Sequence, residues 1–161
     1  MINKRPSYLD FDRAKYFWKS NINYRQYPTK YRVGKGEQGV LICEPYKTEI
    51  LPYWKFKTPL LAKKSSQKIY KMFVEYLAAN DFVGADIARK FLQMGFTRAR
   101  RYANYKGGKK YDKENSYAIN EKGTGEQLKA ESAAIFFKYW KKAESNMLYN
   151  QLKKEWRKQY G

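Results

Sequence analysis

Apolar side chains recur at helical spacing from residue 65 onward, and they predict the first long helix. Its apolar face, in the i, i+3, i+4, i+7, i+8 order, consists of Ile69, Met72, Phe73, Tyr76 and Leu77. Ser65 or Ser66 is the expected N-cap, because a hydroxyl can accept a hydrogen bond from a free amide of the first turn. Asn80-Asp81 is expected to end this helix and to cap the next one.

A second apolar stripe predicts a helix over residues 82–94, and a third helix is expected from Arg98 to about Tyr105. The stripe consists of Val83, Ile87, Ala88, Phe91, Leu92 and Met94. Gly95 is positioned to end the second helix and Thr97 to cap the third. Two helices with so tight a connection resemble a helix-turn-helix DNA reader, whose second helix enters the major groove. The alternative is a helical hairpin packed against the core.

Two further helices are predicted near the C-terminus, over about 126–143 and 146–159. The inward side chains of the first are Leu128, Ile135, Phe136, Tyr139 and Trp140, and those of the second are Leu148, Leu152 and Trp156. The preceding segment, 107–125, is rich in Gly, Lys and other polar residues, which predicts a polar loop.

The N-terminal part of the chain carries shorter patterns. Residues 1–30 scatter aromatic side chains among Lys and Arg and predict an irregular arm. Residues 31–33 and 40–43 are extended runs around the glycine-rich segment 34–39, which predicts a hairpin. Residues 44–61 contain three prolines and are expected to be an extended loop. The predicted fold class is α+β, mainly α: four to five helices around one core with a short N-terminal β-hairpin, forming a single globular domain over residues 31–161.

Charge is the strongest compositional signal in this 161-residue chain. Lys and Arg number 34 against 15 Asp and Glu, a formal net charge of +19. A surplus of this size indicates a polyanionic partner, and nucleic acid is the commonest one. Aromatic residues make up 18% of the chain, which favours a folded core over disorder.

Several function classes are excluded or disfavoured by what the sequence lacks. With no His and a single Cys, the chain cannot build a catalytic triad, a His-based metal site or a Cys-rich zinc site. No cofactor or metal is expected. No signal-peptide core and no run of about 18 apolar residues occurs, so we expect a cytoplasmic protein that does not contact a membrane.

The positive charge is concentrated between residues 98 and 110, where six cations and no acid occur. We expect this segment to bind phosphates of DNA or RNA, because an arginine can donate two hydrogen bonds to one phosphate. The expected binding residues are Arg98, Arg100, Arg101, Lys106, Lys109 and Lys110, with Tyr102 and Tyr105 as candidates for base stacking. An auxiliary surface comprises Lys64, Lys68 and Lys71. The competing interpretations are a solvated helix face and arginines paired with Asp81, Asp86 or Glu131.

The segment Gly34 to Gly39 matches the G-x-G-x-x-G pattern of phosphate-binding loops. A dinucleotide-binding loop leads from a strand into a helix, whereas another extended run follows this segment. The segment is therefore expected to be a turn that needs positive φ at several positions. Phosphate contact through Lys35 and backbone amides is the alternative.

Two other functions stay open. One is an enzyme acting on a nucleic acid or a phosphorylated substrate, with Glu131 or Asp86 in an arginine-rich pocket. Pairing of Glu131 with a nearby arginine is the simpler interpretation of that residue. The other is a basic structural component of a nucleoprotein assembly or a virion.

Long stretches of the chain resemble an uncharacterised family, a domain of unknown function found in bacteria, algae and tailed phages. The stretches are YRVGKGEQGVL at 31–41, EPYK at 44–47, LPYWKF at 51–56, DFVGADIARKFLQMGFTRARRYAN at 81–104 and KAESA at 129–133. The resemblance covers about residues 24–161 and supplies no catalytic residues that could be carried over.

Overall fold

A computed structural model describes residues 18–105, 109–115, 118–119 and 126–161. In these ranges the α-helices are α1 (Tyr46–Ile50), α2 (Pro59–Ala78), α3 (Phe82–Asn104), α4 (Gln127–Glu144) and α5 (Met147–Tyr160). Two short strands, β1 (Tyr111–Asp112) and β2 (Ala118–Ile119), pair antiparallel. The prediction of a mainly helical fold is confirmed. In the described ranges, no helix is both long and apolar enough to cross a lipid bilayer.

Helix α2 begins six residues before the predicted N-cap. Thr58 is the actual cap, and its side chain accepts a hydrogen bond from the Leu61 amide at 3.2 Å. Pro59 follows at the first helical position, where the missing N–H costs nothing because that amide has no partner within the helix. Ser65 and Ser66 are therefore interior helix residues, and both are buried.

Helix α3 is continuous from Phe82 to Asn104, so the two separate helices and the helix-turn-helix expectation are wrong. Gly95 does not end the helix. It leaves room for Phe136 of α4, because a Cβ atom at Gly95 would lie 2.3 Å from a carbon of that ring. Thr97 does not cap a new helix either, since it lies inside α3 and its hydroxyl donates to the Glu37 carboxylate at 2.9 Å.

Helices α2, α3 and α4 pack against one another and enclose most of the core. A tight turn at 79–81, with Asn80 at φ 59°, makes α2 and α3 antiparallel neighbours. Asp81 caps α3 by accepting a hydrogen bond from the Gly84 amide at 3.0 Å. The bounds of α4 and α5 agree with prediction, and Asn146 caps α5. Leu128 and Leu148 are exposed rather than inward.

The N-terminal hairpin is a wrong prediction, because no strand occurs among residues 31–43 of the described chain. Residues 31–34 form no regular element, the backbone then turns, and the amides of Ile42 and Cys43 both donate to the Gly39 carbonyl. These local bonds satisfy the backbone groups that a strand partner would have used. The observed hairpin, β1–β2, lies instead within the segment 107–125 that was predicted as a loop.

The proline-containing segment 44–61 is also more ordered than predicted. It contains α1, a 3-10 turn at Leu51–Tyr53 and the first turn of α2. Residues 18–30 contribute Trp18 and Tyr24 to the core, where both side chains are almost completely buried. Residues 1–17, which complete the predicted arm, lie outside the described residues.

Candidate nucleic-acid interface

A buried ionic cluster lies on the first half of α3. Asp86 is fully buried and accepts hydrogen bonds from the Arg89 guanidinium at 2.8 Å, from the Tyr149 hydroxyl at 2.6 Å and from the Tyr31 hydroxyl. Burial by itself raises the pKa of Asp86, but the positive charges of Arg89 and Lys90 and the two tyrosine hydroxyls hold that pKa well below its ordinary value. Asp86 is therefore a structural anion whose oxygens already have partners.

Arg89 and Lys90 connect this cluster to the glycine-rich segment 34–39. Arg89 donates to the Gly36 carbonyl at 3.0 Å, and Lys90 donates to the Gln38 carbonyl at 2.9 Å. Lys90 is fully buried, with its ammonium nitrogen 4.8 Å from the ring centroid of Trp18. Burial lowers the pKa of Lys90 to about 8, although the Asp86 carboxylate acts in the opposite direction.

A third contact fixes the same segment further along α3. The Thr97 hydroxyl donates to the Glu37 carboxylate at 2.9 Å. Gly36 and Gly39 have φ of 54° and 82°, which confirms the prediction of a turn that needs positive φ at more than one position. Segment 34–39 is thus held against α3 by its carbonyls and by Glu37.

The last third of α3 is less deeply buried than the rest. Every residue from 82 to 92 is buried, whereas Arg98 and Arg100 are exposed and Arg101 is half-buried. None of the three forms an ion pair with a carboxylate of the described residues. The acids predicted as their partners are used elsewhere or point to solvent: Asp81 lies 3.7 Å from Arg25, Asp86 pairs with Arg89, and Glu131 is exposed.

Three helix ends meet where these arginines lie. The Phe56 ring, just before α2, is 5.8 Å from the Tyr102 ring near the end of α3. At the start of α4, the Glu126 amide donates to the Tyr102 carbonyl, and Lys129 donates to the Lys57 carbonyl at 2.6 Å. We call this region the basic end. Its solvent-accessible cations are Lys55, Lys57, Lys63, Lys64, Arg98, Arg100 and Arg101.

The two predicted stacking residues are not available to a base. Tyr105 is buried, with only 8% of its surface exposed. Tyr102 is half-buried, with Phe56 against it and the Lys129 ammonium 5.6 Å from its ring centroid. Both tyrosines close the end of the helix bundle.

The remaining predicted residues are distributed more widely. Lys64 belongs to the basic end, whereas Lys68 lies 4.9 Å from the Tyr53 ring centroid and Lys71 lies 3.9 Å from Glu75. Lys35 is exposed on the glycine-rich segment, next to Gly36. Lys109 is exposed and Lys110 contacts the Tyr111 ring, both beside the hairpin. Lys106 lies outside the described residues.

Comparison with known proteins identifies the family. Residues 15–159 match a family described as a domain of unknown function, DUF4385. The chain belongs to the DUF4385 family. No curated protein and no solved structure matches it at a significant level.

In this DUF4385 domain, sequence reasoning missed the attachment of segment 34–39 to α3. Asp86, Arg89 and Lys90 interrupt an otherwise apolar run at 82–92, and charged residues at such positions need buried partners. That pattern was a usable signal for an ionic cluster. Among the described residues, no group of His, Cys, Asp and Glu side chains could hold a metal ion.

Proposed function

We propose that this protein binds nucleic acid through phosphate contacts made by the basic end. The observation that carries the proposal is the exposure of Arg98 and Arg100 on the last turns of α3, without carboxylate partners among the described residues. Guanidinium groups in such a position can bind phosphate oxygens with two donors each. The lysines at the start of α2 add exposed positive charge at the same end of the helix bundle.

Two of the three helix ends in this region favour anions, whereas the C-terminus of α3 carries the opposite partial charge. Helices α2 and α4 both begin there, and a helix N-terminus carries a partial positive charge and free amide donors. The net charge of +19 attracts a polyanion over longer distances. A phosphate chain is the ligand that satisfies both features, because it offers many anionic groups at regular spacing.

Glu37 opposes the positive charge in this region. It is half-buried, and burial raises its pKa, while the Thr97 hydroxyl and the charges of Arg98 and Arg101 act to lower it. Glu37 therefore sets how much positive potential the two arginines present to a ligand.

The test is the salt dependence of oligonucleotide binding, measured by fluorescence anisotropy on a labelled oligonucleotide. Each phosphate that the protein no longer neutralises makes the slope of log K against log salt less negative by about 0.7–0.9. Replacing Arg98, Arg100 and Arg101 together by alanine should make the slope less negative by about 2–3.

A matched control removes the same number of charges from exposed positions on α5: Lys154→Ala, Arg157→Ala and Lys158→Ala. It should leave the slope within about one unit of the wild-type value. Equal slopes for the two triple variants would overturn the assignment of the interface to the basic end.

A further inference from the structure

An aromatic cluster lies on the surface beside the basic end. It consists of Phe96 on α3 and of Phe137 and Trp140 on α4, with ring centroids 5.2 Å apart for Phe96 and Phe137 and 5.6 Å apart for Phe96 and Trp140. Phe137 is 42% exposed, and Phe96 and Trp140 are half-buried. Phe96 and Trp140 thus support a phenyl ring that is open to solvent.

Cations border this cluster on both helices. Arg100 follows Phe96 by four residues, so it lies on the same side of α3, about 6 Å further along the axis and toward the basic end. On α4, the Lys141 ammonium is 4.1 Å from the Trp140 ring centroid and 5.5 Å from that of Phe137. An aromatic surface with cations next to it is the combination that binds bases and phosphates of one strand together.

The form of α3 removes the helix-turn-helix route to a duplex, and the exposed ring favours unpaired bases. A helix-turn-helix frame would have presented a separate recognition helix to a duplex major groove, but α3 is one helix anchored in the core. In a duplex the bases stack on one another, so an exposed phenyl ring gains little from them. Unpaired bases leave their faces free for aromatic side chains.

We infer that the nucleic acid bound by this protein is single-stranded, with a base stacked on Phe137 and the flanking phosphates bound by Arg100 and Lys141. The inference rests on the proposed function and specifies the ligand of that surface. Lys141 now pairs with Glu144 at 3.3 Å, and a phosphate near Phe137 competes with that carboxylate for the ammonium group. The side chain of Lys141 is about half exposed, so it can turn toward the strand.

The experiment compares two labelled single strands of about 20 nucleotides, longer than the roughly 4–16 that one small domain covers. One strand is oligothymidylate, and the other has the same phosphates and sugars but no bases. The wild-type protein should bind oligothymidylate about tenfold more tightly than the abasic strand, because stacking adds to phosphate contact.

Substitutions at residue 137 measure how much the aromatic ring contributes to the preference for oligothymidylate. Phe137→Leu keeps an apolar side chain but lacks a ring, and it should remove most of the tenfold preference while leaving the salt slope unchanged. Phe137→Tyr should retain the preference. Leu148→Ala is the matched control, since Leu148 is an exposed apolar residue of α5 at 48% exposure and belongs to neither the aromatic cluster nor the basic end.

The outcomes separate this inference from the proposed function. Equal, salt-dependent binding of both strands by the wild-type protein overturns stacking and leaves phosphate binding intact. Equal effects of Phe137→Leu and Leu148→Ala on the preference also overturn stacking. Absence of salt-dependent binding to either strand overturns the single-strand inference, and the proposed function fails as well only if a duplex of the same length is not bound either.

Discussion

The negative charge of Glu37 reduces the positive potential of two nearby arginines, Arg98 and Arg101. Its carboxylate accepts from Thr97 and lies in the electrostatic field of Arg98 and Arg101, while segment 34–39 is held by Arg89 and Lys90. The position of this acid is therefore fixed by contacts on either side of it. A change in its charge should act on binding without moving the backbone.

Replacement of Glu37 by glutamine should strengthen oligonucleotide binding. Gln keeps an oxygen that accepts from Thr97 but removes the negative charge, so we expect affinity to rise roughly two- to fivefold, the effect of one partly exposed charge interaction. Lowering the pH should strengthen wild-type binding in the same direction, because Glu37 has a raised pKa and becomes neutral earlier than an ordinary carboxyl group. Anisotropy titrations at fixed salt measure both effects, and an unchanged affinity for the variant contradicts this role.

Helix α3 approaches α4 most closely at Gly95, and this contact requires a glycine. Gly95 has the Phe136 ring against it, at a distance that leaves no space for a methyl group. Glycine normally weakens a helix by about 1 kcal/mol relative to alanine. At this position the packing advantage outweighs the conformational cost.

Gly95→Ala should therefore destabilise the protein by about 1–3 kcal/mol, as overpacked core substitutions do, despite the better helix propensity of alanine. Chemical denaturation measures the free energy of unfolding. In a Phe136→Leu background the same substitution should cost less, because the smaller side chain can move away. A stabilising effect of Gly95→Ala in the wild-type background contradicts the steric account.

The helices show what local sequence could predict and what it could not. The bounds of α4 and α5 followed from apolar spacing and from Asn146 as a cap, which are local signals. The false break in α3 arose because Gly95 and Thr97 are good terminators in isolation. Their real roles depend on Phe136 and Glu37, which lie 41 and 60 residues away in the chain.

Some features of the candidate site were likewise predictable from local sequence, and others were not. Exposure of Arg98 and Arg100 was predictable from their charge, because unpaired arginines are rarely buried. Burial of Tyr105 was not, since it depends on how α2, α3 and α4 meet. Apolar spacing placed Phe136 on the inward face and left Phe137 off it, but the contacts of Phe137 with Phe96 and Trp140 depend on how α3 and α4 pack.

The stability of the whole molecule should depend on the titration of Lys90. An ordinary lysine has a pKa near 10.4, whereas burial lowers that of Lys90 to about 8. Between these values the unfolded chain holds a proton that the folded protein has released, so the free energy of unfolding rises with pH. From about pH 8 to pH 9 the contribution is on the order of 1 kcal/mol.

Lys90→Met keeps the length of the side chain and removes the titration. The free energy of unfolding of the wild type minus that of the variant should therefore increase by about 1 kcal/mol from pH 8 to pH 9. Groups that do not interact with Lys90 cancel in this comparison. A difference that is independent of pH contradicts the lowered pKa.

The burial of α3 along residues 82–92 has a consequence for the thermodynamics of association. The arginines at its end extend from a backbone that the core already holds in place. Ligand binding therefore restricts the torsion angles of a few side chains and leaves the backbone unchanged. Preorganisation of this kind reduces the entropic penalty of complex formation. The domain should consequently bind its ligand as an almost rigid body, with an association rate that electrostatic attraction increases.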